Sequence, residues 1–166
     1  MPGFRSGHVG ATGGAVGRKS AMPRNPPPCS RARAYVTCAE MNIALDIDGT
    51  ITKQPEFFAL LSSGVRAAGG KVFIVTSRAN SAGVRAETQK ELKSYGIAYD
   101  ELFIIPDAGR EQIPCPHGDL DWYQKYLWQK VAVCLEHDVA IVFEDDAKVI
   151  ALFKTYAPDI QVFRVG

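Results

Sequence analysis

The chain predicts an α/β domain built on a parallel sheet, and three features carry that prediction. From residue 41 onward, short apolar runs alternate with longer segments of helical periodicity. The runs are rich in β-branched and aromatic residues with little polar alternation, as strands buried on both faces require. Polar residues able to do chemistry gather at the carboxyl ends of those runs, where open parallel sheets collect ligands.

The predicted strands are "IALDI" (43 to 47), "KVFIVT" (71 to 76), "ELFII" (101 to 105), "AIVFE" (140 to 144) and "IQVFRV" (160 to 165). Between the first two, "PEFFALLSSGVRAAG" sets Phe57, Leu60, Leu61, Val65 and Ala68 at helical spacing and ends in glycine, a helix stop. "SAGVRAETQKELKSYG" and "LDWYQKYLWQKVAVCLEHD" also read as helices. The Pro- and Gly-rich stretch 106 to 119, "PDAGREQIPCPHGD", is expected to be an excursion at the sheet edge.

Residues 1 to 40 form a different region. They hold six Lys or Arg against the single acid Glu40, with 6 of the 15 glycines and 5 of the 10 prolines. Residues 41 to 166 are left with 13 basic and 17 acidic residues, so the formal charge of +1 averages a basic tail and an acidic domain. The tail has no strand or helix periodicity and too little apolar surface to offset its ordering entropy, and it is expected to be disordered. Met41 stands directly before the first strand and is a natural start for the domain, with Met22 a second candidate start, so the sequence leaves open whether the tail lies upstream of the working protein or belongs to it. Glycines and prolines oppose a transit helix. Six cations without interleaved aromatics give little support to a nucleic-acid-binding arm.

Composition sets outer bounds. With 166 residues, 46% hydrophobic and 22% charged, the chain has the make-up of one globular domain, and its longest apolar runs are too short to span a bilayer. Cys29, Cys38, Cys115 and Cys134 are too scattered for a disulfide framework, so a reducing, cytoplasmic setting and no membrane partner are expected.

The residues that invite chemistry begin with "IALDIDGTI". In an extended segment Asp46 and Asp48 would project on the same side, about 7 Å apart. Two such carboxylates repel unless a cation relieves them. The acids Glu144, Asp145 and Asp146, after the fourth strand, add to that demand. A hard divalent ion fits, and Mg²⁺ suits a site of one or two carboxylates plus phosphate oxygens. Gly49 and Thr50 allow a sharp turn and offer backbone N–H groups to a phosphate.

"LDIDGTI" resembles the first motif of the haloacid dehalogenase superfamily, whose phosphatase branch carries Asp-x-Asp-Gly-Thr. "VFIVTSR" resembles its second motif, Lys130, 14 residues before Glu144, its third-motif lysine, and "IVFEDD" its acidic fourth motif. The resemblance spans residues 41 to 166 and none of the tail. It implies a Rossmann-like three-layer sandwich with a five-stranded parallel sheet in the order 5-4-1-2-3. It also implies a Mg²⁺-dependent phosphomonoester hydrolase working through a phosphoaspartate on Asp46, with Asp48 as acid and base. Thr76, Ser77 and Lys130, with Gly49 and Thr50, would bind the phosphoryl group. Asp46, Asp48, Asp145 and Asp146 would hold the metal. Glu144 stands where relatives place Gly, so Asp145 is preferred first and Asp146 second. Lys125, five residues before Lys130, is the rival lysine.

Only 30 residues separate Asp46 from Thr76, which leaves no room for a helical cap. Capless relatives take bulky phosphoesters or let a second copy cover the site, so a homo-oligomer is one expected arrangement. A phosphorylated small molecule or nucleotide is the expected substrate. A nucleotidase or polynucleotide end phosphatase is the alternative within enzymes. A non-catalytic phospholigand-binding or protein-interaction module on the same fold is the alternative outside them.

Three weaker signals accompany these. "CPH" at 115 to 117 resembles half of a zinc loop but lacks the other half of a four-ligand site. Trp122, Tyr123, Tyr126 and Trp128 offer rings for a nucleobase, though aromatics at helical spacing more often build core or interface. Thr76 and Ser77 also suit the N-cap of a helix starting near Asn80 or Ser81.

Overall fold

The structure, a computed structural model, describes residues 41–78, 81, 83–105 and 113–166. The tail, residues 1 to 40, and the first half of the 106 to 119 excursion lie outside the described residues.

Five strands are present: β1 (Asn42–Leu45), β2 (Val72–Thr76), β3 (Glu101–Ile104), β4 (Val139–Glu144) and β5 (Gln161–Arg164). Four α-helices connect them: α1 (Pro55–Ala67), α2 (Val84–Ser94), α3 (Trp122–Glu136) and α4 (Ala147–Tyr156). The strands form one all-parallel sheet in the order β3-β2-β1-β4-β5, the predicted order read from the other edge. The chain builds outward from β1 in one direction through β2 and β3. It then returns to the other side of β1 for β4 and β5. The crevice where a parallel sheet of this kind accepts a ligand therefore lies between the ends of β1 and β4.

Alternation along the strands sorts side chains into two cores. Ile43, Leu45, Val72 and Ile74 pack with Phe58 of α1 and Leu92 of α2 on one face. Ala44, Phe73, Val75 and Val142 pack with Val131 of α3 and Phe153 of α4 on the other. Burying each large aliphatic or aromatic side chain contributes about 1.5–3 kcal/mol, so the central strands are held firmly from both sides.

Helix α1 keeps its predicted span but turns a different stripe inward. Phe58, Ser62 and Val65 are buried, while Phe57 is half exposed and Leu60 is 76% exposed. A polar residue can occupy the buried stripe because the Ser62 hydroxyl donates to Ala59 O and accepts from Ala98 N. Apolar counting alone favours Phe57 and Leu60. Helix α2 starts at Val84 with Gly83 at its N-cap, so Thr76 and Ser77 do not cap it. Helix α4, with no counterpart in the predicted helices, starts from the acidic loop after β4, and the Asp146 carboxylate caps it by accepting from Lys148 N at 2.7 Å. Helix α3 opens with a reciprocal capping box between Asp121 and Gln124. No described helix is long and apolar enough to cross a membrane.

Candidate active site

β1 ends at Leu45, and Asp46 continues it by one residue, its N–H donating to Phe143 O of β4. By alternation Asp46 shares the face of Ala44, toward α3. Glu144, the last residue of β4, shares the face of Val142 and points the same way. Helix α3 carries Lys130 into the gap between them. The Lys130 ammonium donates to Asp46 Oδ1 at 2.7 Å and to Glu144 Oε2 at 2.8 Å, and all three side chains are 6% exposed or less.

One cation cannot neutralise two carboxylates. Burial pushes Asp46 above the usual carboxylate range despite Lys130, and pushes Glu144 up to about 7, with Asp46 adding repulsion. Burial works against the lysine charge, but the two carboxylates outweigh it and raise the Lys130 pKa. The trio, at the end of the central strands, gains net negative charge only as pH rises through the raised Asp46 and Glu144 values.

A third acid completes it. Oxygens of Asp46, Glu144 and Asp145 converge within 4.8 Å of one another, and among the described residues this is the group able to hold a metal ion. Glu144 also shapes the loop beyond it, because its Oε1 accepts from the backbone N–H groups of Asp145 and Asp146 at 3.2 Å each and so fixes the turn that presents Asp145. Gly49, at φ +80°, passes directly over Asp145, where a Cβ would lie 2.1 Å from Asp145 Oδ2. The "DGT" glycine thus serves both a left-handed turn and the space above a carboxylate. The three carboxylates offer oxygen donors that could hold a metal ion.

Asp48 is placed apart from this group. The chain turns over residues 47–50 instead of extending, so the strand spacing expected of the two aspartates does not reach Asp48. Its side chain is 61% exposed and is gripped by Arg78, whose Nε and Nη2 donate to the two carboxylate oxygens at 2.8 and 2.7 Å. This bidentate fork holds the Asp48 pKa below the usual carboxylate range. Arg78 is itself braced by Glu91 and Thr88 of α2.

Of the other expected residues, Thr76 is buried at the end of β2, and Ser77 follows it with its carbonyl accepting from the Tyr126 hydroxyl. Thr50 is buried with no partner for its hydroxyl among the described residues, and Gly49 N–H donates to Thr52 Oγ1. Asp146 uses its carboxylate as the α4 cap and lies outside the converging group. Lys125, the rival lysine, is half-buried on α3 away from the trio, beside Ile113 and Cys115. His117 of the "CPH" stretch stacks on Tyr156, with ring centres 3.9 Å apart.

Two contacts of this site, Arg78–Asp48 and Glu144–Lys130, are not legible in the sequence, where Glu144 stands as one of three acids at the end of the fourth strand. The Arg78–Asp48 fork joins residues 30 apart, with no signal beyond the position of Arg78 after a strand end. Glu144 reads in sequence as an awkward substitute for Gly, whereas its buried place on alternate positions with Val142 predicts an inward carboxylate that needs a cation.

No family model and no curated protein matches the chain. Among solved structures, a chain in the structure of the Pnkp1/Rnl/Hen1 RNA repair complex is similar, with 20% identity and a TM-score of 0.52 over 76% of this chain and 42% of that one. The likeness is one of fold. This chain spans less than half the length of that neighbour. A chain of a second Pnkp1/Rnl/Hen1 structure has 18% identity and a TM-score of 0.49, covering 76% and 46% of the two chains. A universal stress protein in complex with cAMP has 13% identity and a TM-score of 0.43, covering 76% and 98%.

Proposed function

We propose that this domain is a phosphomonoester hydrolase of the haloacid dehalogenase type, using Asp46 as nucleophile. The observation that carries the reading is the placement of Asp46. It is buried at the end of the central strand, with one oxygen held by Lys130 and the carboxylate group converging with Asp145.

With Oδ1 held by Lys130, the second Asp46 oxygen would be the atom that attacks phosphorus. The P–O(Asp46) bond forms as the bond to the leaving alcohol oxygen breaks, and Lys130 balances charge on the transferring oxygens. Asp48 would give a proton to the leaving oxygen. In the second half, Asp48 takes a proton from water, the water oxygen bonds to phosphorus and Asp46 is released as carboxylate. Arg78 holds Asp48 in the ionised form this second half needs, so the first half requires Asp48 to leave the Arg78 fork and take up a proton before it gives one to the leaving oxygen. Asp46 and Asp145, with the Asp48 backbone carbonyl that the family resemblance implies, would hold Mg²⁺. When bound, the ion neutralises phosphoryl charge and orients the group.

The test is phosphate release from an aryl phosphate by the wild type and Asp46→Asn, with Mg²⁺ or EDTA. Metal-dependent turnover that falls at least about a thousandfold in the variant is expected, in the range seen when nucleophiles are removed. Equal rates in the two proteins, or turnover indifferent to EDTA, would overturn the assignment.

A further inference from the structure

Beyond Lys130, helix α3 carries side chains that the hydrolytic chemistry leaves unused. Trp122, Tyr126 and Lys130 recur at four-residue steps and so form one stripe along the helix. Lys130 reaches Asp46. One turn outward, the Tyr126 hydroxyl lies 3.0 Å from the carbonyl oxygens of both Ser77 and Ile105, which pins its ring at the carboxyl edge of β2 and β3. One turn further out, Trp122 is 79% exposed. Trp128, off this stripe, is buried in the core.

Facing this stripe is a wall made by Ile113, Pro114 and Cys115. The Gln129 side-chain amide fastens it to α3, donating to Ile113 O at 2.8 Å and accepting from Ile113 N at 3.0 Å. Between wall and helix lies a cleft of about 510 Å³, lined also by Trp122, Lys125 and Tyr126. Its volume falls in the range of small-molecule sites, about 300–1,000 Å³.

We propose that this cleft binds the nucleobase of a nucleoside phosphomonoester whose phosphate lies at Asp46. The proposal rests on the hydrolytic reading above and names its substrate class. Planar indole and phenol rings with a proline opposite provide stacking surfaces that any base can use. Among the described residues the lining has no acid and one cation, Lys125, so it favours an anionic ligand. A sugar phosphate needs convergent partners for several hydroxyls, and the cleft's amide, Gln129, is already engaged with Ile113. From Trp122 to Lys130 is about 12 Å of helix axis, a distance on the scale of one nucleotide.

The test measures KM and kcat of the full chain, Trp122→Ala and Trp122→Phe on a nucleoside monophosphate, a phosphate-ended oligonucleotide and glycerol phosphate. Trp122→Ala is expected to raise KM for the nucleoside monophosphate about tenfold relative to that for glycerol phosphate, with kcat little changed, as loss of base stacking does. Trp122→Phe should restore most of the difference. An oligonucleotide KM below that of the mononucleotide, lost in Lys125→Ala, identifies a chain end as the source; equal values identify the free nucleotide. If the KM ratio between nucleoside and glycerol phosphates does not change in Trp122→Ala, the cleft assignment is overturned while hydrolysis stands. If no ester is turned over, the hydrolytic reading falls, and indole fluorescence of the Asp46→Asn variant decides the cleft. Quenching by the nucleoside monophosphate that disappears on adding Trp122→Phe supports it, and absence of quenching overturns it.

Discussion

Replacing Lys130 with methionine keeps an aliphatic stem but removes the cation shared by Asp46 and Glu144. Both carboxylates are then buried without a charge partner, since Asp46 is 6% and Glu144 2% exposed. Breaking a buried ion pair by removing one partner costs about 3–5 kcal/mol. The two carboxylates can escape that cost only by taking a proton. A carboxylate with an unfolded-state pKa of about 4 is protonated at about 1.4 kcal/mol per pH unit above that value, or about 4 kcal/mol at pH 7 and about 1 kcal/mol at pH 5. The sign follows from the direction of the shifts. Burial already raises Asp46 and Glu144, the latter to about 7, and loss of Lys130 raises both further. Groups with raised folded-state values favour the folded state below their unfolded values and lose that contribution as pH rises through the folded ones. Lys130→Met should therefore destabilise the protein by about 3–5 kcal/mol at pH 7 and by only about 1–2 kcal/mol at pH 5. Urea unfolding in EDTA at pH 5, 6 and 7 measures this, and adding Glu144→Gln should recover part of the loss at pH 7. A penalty below about 1 kcal/mol at pH 7, within the range of an exposed ion pair, or one equal at both pH values, would refute the shared-cation account.

Three further outcomes are expected. Gly49→Ala, forced to φ +80° with a Cβ 2.1 Å from Asp145 Oδ2, should cost about 1–3 kcal/mol by strain and displace Asp145, seen as lower melting temperature and lost Mg²⁺ response. Mg²⁺ at about a hundredfold excess over its dissociation constant should stabilise the wild type by about 2.7 kcal/mol, and calorimetry of Asp145→Asn should show most of that gain absent. Arg78→Ala should remove a stabilisation that is present above the unfolded Asp pKa of about 4 and fades as pH falls through the depressed Asp48 value. The difference in stability between variant and wild type should therefore shrink from pH 7 to pH 3 in urea titrations, and a constant difference would show that Arg78 acts through packing.

What can be read from the sequence is whatever depends on local pattern. The five strands are visible because each is a short run rich in β-branched or aromatic residues, although β1 and β2 are buried along nearly their whole length and edge strand β5 is largely exposed; Lys130 is picked out by its resemblance to the family's third-motif lysine. The α1 stripe is easily misread because Ser62 hides its hydroxyl in bonds to Ala59 and Ala98, contacts that hydrophobicity cannot register. The pairing of Arg78 leaves no sequence signal for a related reason: its partners Asp48 and Glu91 belong to a different turn and a different helix.

The same distinction explains how the acids divide their work. Five carboxylates lie at the ends of β1 and β4, and the motif resemblance assigns four of them, Asp46, Asp48, Asp145 and Asp146, to one metal. The backbone separates them. Asp46 and Glu144 fall on the α3 side and compete for Lys130, Asp146 begins a helix, and Asp48 leaves with the turn toward Arg78. Asp145 is left with no hydrogen bond or ion pair from its carboxylate among the described residues, under the one glycine that clears space for it. A carboxylate that the fold positions through the Glu144 bonds to its own backbone and yet leaves unpaired is the natural first ligand for a cation. Removing Glu144's grip on the Asp145 and Asp146 amides should therefore weaken Mg²⁺ binding although Lys130 and Asp145 stay in place. Glu144→Gln keeps an oxygen for those two N–H groups and Glu144→Ala does not, so the alanine variant alone should lose the Mg²⁺ response in a thermal shift. Equal loss in both would place the charge of Glu144, and not its positioning of the loop, at the root of metal binding.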